Sequence, residues 1–580
     1  MKRLSFLYIF LIVLVSILSN TTFSYASEPP KEPILRIETG MHTVTIARIG
    51  IDAENRYLVT VSNDKTVRVW ELYTGRLIRT IRPPIGEGNE GKIYAVAVSP
   101  DGKTIACGGW TGQEWDDMFA SIYLFDLQSG RFIKRITGVS ASILHLAYSK
   151  DGRFLVAALW GQYGIRVFRT YDYSLVAEDK NYGSDSYGAN FDINGRLATT
   201  SYDGFVRLYD ENFRLIAKKK TPGGNMPYGI SFSPDGSRIA VGFDDAPKVD
   251  VLSGYDLSYL YSPDTSDIQK KSLGFGISWS TDGRFLYAAG MHSIKTNEGW
   301  KRIIRKWSDG GRGRYVDLPA ADNTVLHILS LKDGGIVFGA AGPAFGVFDA
   351  ANRNIVFKGG SVADFREGYE TFRVSYDGST IQFGYKVWGE STARFSVLNR
   401  FLDTALMTAS PETLLAPVTY AEGLNITDWK HAYNPKLNGR DLKIKQYETS
   451  RSVAISPDRR HILLGAEWYL RLFDTYGNEK WKVAVPGIAW VVNISGNGRL
   501  AIAALGDGTI RWYRIEDGKE LLALFPHNDR KRWVMWTPSG YYDASPGADE
   551  IIGWHRNTAK KRQRISFPYP SSGRHITGLM

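Results

Sequence analysis

Few residues in this chain have the types and spacings that reactive chemistry needs. A thiol nucleophile needs a base beside it, and a disulfide or cysteine-bound zinc needs further cysteines. The chain has one, Cys107, inside a short apolar run at 104–108, where it reads as a small buried hydrophobe. The histidines, at 42, 145, 292, 327, 431, 461, 527, 555 and 575, show neither HxH nor HExxH spacing, so no zinc site is expected. GEGNEG at 86–91 looks like a phosphate cradle, but it follows Pro83 and Pro84 and opens a strand, so no helix N-terminus waits for the anion. The acidic pairs Asp116-Asp117 and Asp244-Asp245 lack the spaced ligands and distal Glu of a calcium loop. No GxSxG elbow or Ser-His-Asp arrangement is present. These residues call for no catalytic group, no metal and no cofactor.

What organises the chain is a repeated turn. SPDG (99–102), SKDG (149–152), DING (192–195), SPDG (233–236), STDG (280–283), LKDG (331–334), SYDG (375–378), SPDR (456–459) and SGNG (495–498) follow DAEN (52–55). The intervals are about 40–50 residues, the span of a four-stranded propeller blade, apart from one of 81 between 378 and 459. Each turn lies between an alternating strand and a short apolar strand. A third strand then ends in a bulky residue, as in TVRVW (66–70), GIRVF (164–168) and TIRWY (509–513). Asp bonds its own turn backbone and Gly accepts positive φ, so these acids are structural. Composition agrees: 43% of residues are apolar, with 59 Gly, 16 Trp, 32 Tyr and 27 Phe.

Over residues 33–530 the chain resembles the WD-repeat family of β-propellers. The Trp-Asp ending survives as Trp70-Glu71, Phe125-Asp126, Tyr209-Asp210, Phe348-Asp349 and Phe473-Asp474. The Gly-His dipeptide that opens such repeats is missing, so the histidine network that stiffens some members is not expected. The fold class is all-β, with about ten four-stranded blades arranged as one closed propeller plus a second or partial one. The expected division is a leader (1–26), a propeller of about eight repeats (33–409), a linker or insert (410–449), further repeats (450–530), a distinct segment (531–557) and a basic tail (558–580). The strand at 34–37 is expected to complete a late blade and close a ring.

Insertions mark one rim. The connections between second and third strands are lengthened at WTGQEWDDMFA (110–120), MHSIKTNEGWK (291–301) and KVWGEST (386–392). Trp160 and Trp468 occupy the same connection in repeats without insertions. Trp110, Trp115, Asp116, Trp160, Trp300, Trp388 and Trp468 are therefore the candidate partner-binding rim, because loops on rigid scaffolds carry function and Trp anchors interfaces. Core packing of the indoles is the competing expectation.

The net charge of +11 is concentrated at the ends. Lys2 and Arg3 lie in the leader, and six basic residues without an acid lie from Arg556 onward. The body is nearly neutral, without the basic stripe that nucleic-acid binding needs. Lys2-Arg3, an apolar stretch at 4–18 and Ser24-Tyr25-Ala26 form an export signal cleaved after Ala26. The leader has no cysteine to carry a lipid, and no later segment is apolar and long enough to cross a bilayer. An exported protein is expected, periplasmic or extracellular.

KRWVMWTPSGYYDASPGADEIIGWHRN (531–557) and PKLNGRDLKIKQYETSRSVAISPD (435–458) resemble bacterial exported WD-repeat proteins whose propeller leads into a caspase-like peptidase domain. The resemblance implies a recognition or regulatory arm of such a peptidase. The Cys-His pair of a peptidase has no counterpart here, and the chain ends 26 residues after Trp554. Arg564-Ile-Ser-Phe-Pro568 can be encoded by codons that, shifted by one base, read Ala-Asp-Phe-Phe-Pro, which points to a frameshifted or truncated gene. A non-catalytic scaffold with a protein partner is the expected function. The alternative is a propeller lyase or glycan-active hydrolase with its site in the central channel.

Overall fold

The repeated turn closes on itself through its own side chains. In SPDG (99–102), the Ser99 hydroxyl donates to Asp101 Oδ1 and accepts from the Thr104 amide at 2.9 Å, while Asp101 Oδ1 accepts from the Lys103 amide at 3.0 Å. The arrangement recurs around Ser149, Ser233, Ser280, Ser375 and Ser456, and around Ser495 with Asn497 replacing Asp. Gly102, Gly152, Gly236, Gly283 and Gly378 take φ between 69° and 82° there, the left-handed region where a Cβ is costly. Arg459, which ends SPDR, accepts φ 59° at the same position.

The computed structural model describes residue 29 and residues 31–557, apart from 87, 114, 116, 117, 270, 271, 407–412, 446 and 447. The expected leader, most of the expected tail and Asp116 lie outside the described residues. Within them the architecture is all-β: four-stranded antiparallel sheets in which each strand pairs with the next, interrupted by single 3₁₀ turns.

Seven such sheets, at 46–81, 92–139, 143–179, 186–219, 227–261, 276–321 and 325–358, form blades 1–7 of a closed ring. The inner strand of each packs on the inner strand of the next, and Ile46–Ile51 of blade 1 packs on Val325–Ser330 of blade 7. At that seam Ile46, Ile49, Leu58 and Trp70 meet Leu331, Val337, Phe345 and Val347 in one buried cluster. Gly339 belongs to the same seam, since a Cβ there would lie 2.8 Å from Ile49 Cγ2. This is a β-propeller of seven blades, one fewer than the eight repeats expected before the long gap.

The eighth repeat (373–403) joins a second unit. Its apolar face, with Phe383 and Phe395, packs on Trp512 and Trp533 of a six-stranded sheet at 489–544. That sheet packs on a four-stranded one at 450–484, which carries a three-stranded sheet at 426–441 on its other face. The expected linker therefore contributes a sheet of its own. The strand Ile34–Ile37 completes no blade. It pairs antiparallel with Ile552–His555 and packs, through Leu35, beside Phe525 and Trp536 of the six-stranded sheet. Ring closure needs no loan from this strand, because blade 1 supplies all four of its own.

Candidate functional site

The second unit lies against the ring face that carries the connections between second and third strands. Lys92 of blade 2 is buried at the contact and donates to the Val485 carbonyl at 3.1 Å. Burial lowers its pKa to about 8, against the pull of Asp507, Glu448 and Glu467. Asn557 clasps the backbone of Ile85, accepting from its amide at 3.0 Å and donating to its carbonyl at 2.7 Å. The Lys445 ammonium sits 5.0 Å from the Trp110 ring and 5.3 Å from that of Tyr469, so one cation joins an aromatic from each unit.

Between the units a cleft of about 1050 Å³ opens. Its walls come from blade 1 at 63–68, from the strand at 34–37 and from the connections around Tyr469 and Asp507. Arg68 and Arg82 both reach Glu38, the former at 3.4 Å. Arg511 is held by Glu520 at 2.9 Å and by Asp507 at 3.5 Å. Behind this wall His42 Nδ1 lies 2.8 Å from Asp64 Oδ2 and its Nε2 lies 2.7 Å from Thr60 Oγ1, which also accepts from Trp70 Nε1 at 2.8 Å. Burial lowers the His42 pKa more than Asp64 raises it. Burial would raise Asp64, yet His42 and Arg68 outweigh it and hold the carboxyl below its usual range. The histidine network absent from the sequence expectation thus exists in blade 1. His42 stands two residues after Gly40 instead of next to it, and the spacing of His42, Thr60, Asp64 and Trp70 is the signal that could have found it. Blade 4 repeats the geometry with a phenol: Tyr182 Oη lies 2.7 Å from Thr199 Oγ1 and 3.1 Å from Tyr209 Oη.

Residues 37–71 and 75–113 match the WD domain, G-beta repeat family. The match covers blade 1 with its histidine network and most of the first half of blade 2. Similar proteins include F-box/WD repeat-containing protein 4 of Mus musculus, 28% identical over 195 residues, or 32% of this chain and 45% of that protein. The periodic tryptophan protein 2 homolog of Dictyostelium discoideum is 23% identical over 267 residues, 42% of this chain and 27% of that protein. The guanine nucleotide-binding protein subunit beta of Oryza sativa subsp. indica is 24% identical over 266 residues, 43% of this chain and 66% of that protein. The chain thus spans less than two thirds of the length of each of these relatives.

The rim does not present its indoles uniformly. Trp110 is half-buried on the cleft wall. Trp115 is 1% exposed, so its ring belongs to the interior and offers no contact surface. Trp160 packs on the cluster between blades 2 and 3. Trp468 is half-buried, with its amide 3.3 Å from Glu448 Oε1. Trp300 and Trp388 are 65% and 64% exposed. The blade 6 insertion lengthens the pair Leu286–Thr296 and Gly299–Trp307 into a projecting hairpin that carries Trp300. The eighth-repeat insertion ends in a 3₁₀ turn that holds Trp388 at φ 65°, with its amide donating to the Arg366 carbonyl at 2.9 Å. The ring supplies one of these indoles and the second unit the other.

Other titratable groups serve the fold or the channel. Cys107 is fully buried, and burial pushes its thiol up. Asp267, His292 and Asp317 bring ligand atoms within 4.8 Å of one another, but the buried Arg305 bonds both carboxylates, at 2.6 and 2.7 Å, and makes the trio an ion-pair cluster. Arg48 reaches across the ring channel to Tyr228 Oη at 3.1 Å and the Tyr187 carbonyl at 3.1 Å. Burial, and then Arg48, lower His145 well below its ordinary value and His327 to about 3. Burial also raises Asp185 and Asp244, which accept from the hydroxyls of Tyr187 and Tyr202.

Proposed function

We propose that this chain is an exported, non-catalytic scaffold that binds another protein, the recognition or regulatory arm of a caspase-like peptidase. The observation that carries the binding reading is the pair Trp300 and Trp388, each about two thirds exposed on an insertion of a rigid sheet. An indole left in water on such a scaffold is the kind of anchor that dominates interfaces. One relative is by name a subunit, a component of an assembly. The leader at 1–26 supports export, and the resemblance of 531–557 supports the peptidase association. Trp110, Trp160 and Trp468 form the inner, half-buried part of the rim.

The test is a pull-down from the exported fraction with the wild type, Trp300→Ala and Trp388→Ala. Each substitution is expected to weaken capture by about 2 kcal/mol, roughly thirtyfold, at an unchanged melting temperature. Capture by both variants at the wild-type level would overturn the reading. The raised carboxyls of Asp185 and Asp244 favour a second reading, a lyase or glycan-active hydrolase centred on the channel.

A further inference from the structure

The cleft between the two units has a strand edge and a cation that no strand, hydrogen bond or ion pair among the described residues takes up. Residues 32–38 all line it consecutively. A strand that shows one face to a cavity contributes alternate residues, so an unbroken run means that the strand turns its edge to the cleft. Among the described residues the two-stranded pairing leaves that edge open, since Ile34–Ile37 has Ile552–His555 on one side and no strand on the other. The Glu38 amide donates to the Ile551 carbonyl at 2.7 Å. By antiparallel alternation, residues 34, 36 and 38 then bond the C-terminal strand, and the N–H and C=O groups of Leu35 and Ile37 point away from it.

The side chain beside this edge is Arg36. Its guanidinium makes no hydrogen bond or ion pair among the described residues, although Asp64, Asp507 and Arg511 all act on it electrostatically. Burial and Arg511 lower its pKa while Asp64 and Asp507 pull the other way, and the half-buried side chain stands on the cleft wall. The described lining carries seven Lys and Arg side chains against five carboxylates. A free strand edge takes an extended backbone, and an unpaired guanidinium in a cationic lining takes a carboxylate. The chain's own termini do not fit: the segment from Arg556 onward is basic, and the stretch at 4–18 is apolar.

We propose that an extended acidic segment of a partner protein lies in this cleft as a third strand on the edge of Ile34–Ile37, with a carboxylate on Arg36. The proposal rests on the protein-binding reading above and names the chemistry of the bound segment.

The probe is a fluorescent octapeptide of alternating Glu and Val, titrated by anisotropy into the full chain. Three changes are each expected to weaken binding about tenfold or more: Gln in place of Glu, N-methylation of every second amide, and Arg36→Ala. Arg36→Lys is expected to retain part of the affinity, and added salt to weaken it. The first two changes are in the peptide, so they test the proposal even if Arg36→Ala impairs folding. Equal binding of the neutral or the N-methylated peptide overturns the proposal, as does equal binding by a folded Arg36→Ala variant. So does tighter binding of a peptide copying residues 558–580. The pull-down does not use this peptide, so captured partner with no peptide binding ends the cleft proposal and leaves the scaffold reading standing.

Discussion

The ring and the second unit are built from the same repeat, with the same self-bonded turn and the same bulky residue ending the third strand, yet they assemble differently. In the ring every inner strand has a neighbour on both sides, and blade 7 returns to blade 1. In the second unit, order in space departs from order in sequence. The sheet at 373–403 comes first in the chain but packs on the sheet at 489–544, the last of the unit's large sheets in chain order. Trp70 and Trp512 show the contrast. Trp70 ends its third strand, whereas Trp512 stands one position before Tyr513, which ends its own and faces the opposite side of the sheet; both indoles donate their N–H at 2.8 Å. Trp70 bonds Thr60 within its own blade, whereas Trp512 bonds the Gly378 carbonyl of a sheet more than a hundred residues earlier. The lesson is that the repeat specifies a sheet with two apolar faces, and the neighbouring apolar faces decide which sheet each of them meets.

The largest effect that could break this comparison comes from those two indoles. Trp70→Ala and Trp512→Ala should each cost about 3–5 kcal/mol. In calorimetry, each is expected to lower the transition of its own unit and leave the other in place. If both substitutions lower a single transition equally, the two units fold as one cooperative body and the contrast is lost.

Acid should separate the units next. His42, His145 and His327 in the ring all have folded pKa values below the unfolded value of about 6.5. The unfolded chain therefore takes up protons first, and the ring loses stability as the pH falls below about 6.5, with His327 contributing down to about 3. In the second unit the buried His527 is lowered by burial while Asp529 counters the shift. Melting followed from pH 7.5 to pH 4 should show the steeper fall in the ring, and His327→Gln should flatten it. A slope unchanged by that substitution would remove His327 from the account.

The smallest effect should be the same in both units. Asp235→Ala in the ring and Asp458→Ala in the second unit each remove the acceptor of a turn hydroxyl and a turn amide. Each should cost about 1 kcal/mol in urea unfolding. A clear difference between the two would show that the turn does more than close its own hairpin.

Much of the local design was legible because it is written in contiguous residues. Ser99, Asp101 and Gly102 carry their turn within four positions, and the alternation of each strand marks its buried face. Ring membership was not legible, since it depends on how Ile46 and Ile49 fit against Val337 and Phe345 from the far end of the ring. Trp115 and Trp300 illustrate the same limit at the rim. Both sit in insertions of similar length, but one insertion folds inward and buries its indole while the other extends as a hairpin and exposes it. The His42 network was missed because a single inserted residue, Met41, hides the dipeptide that usually announces it. Arg36 gave no signal at all. Its place on the cleft wall, with no hydrogen bond or ion pair among the described residues, is set by packing alone.

By itself the sequence determined the all-β class, the period of the repeat, the turn chemistry and the positions of the insertions. These follow from bonds between near neighbours and from the two-residue alternation of strands. The tertiary structure alone decided that seven blades close the ring, that the eighth sheet leaves it, and that the two ends of the described chain meet as a two-stranded sheet on the cleft. Those outcomes depend on apolar faces and strand edges hundreds of residues apart, and burial is non-directional and indifferent to chain order, so no local pattern records which faces will meet.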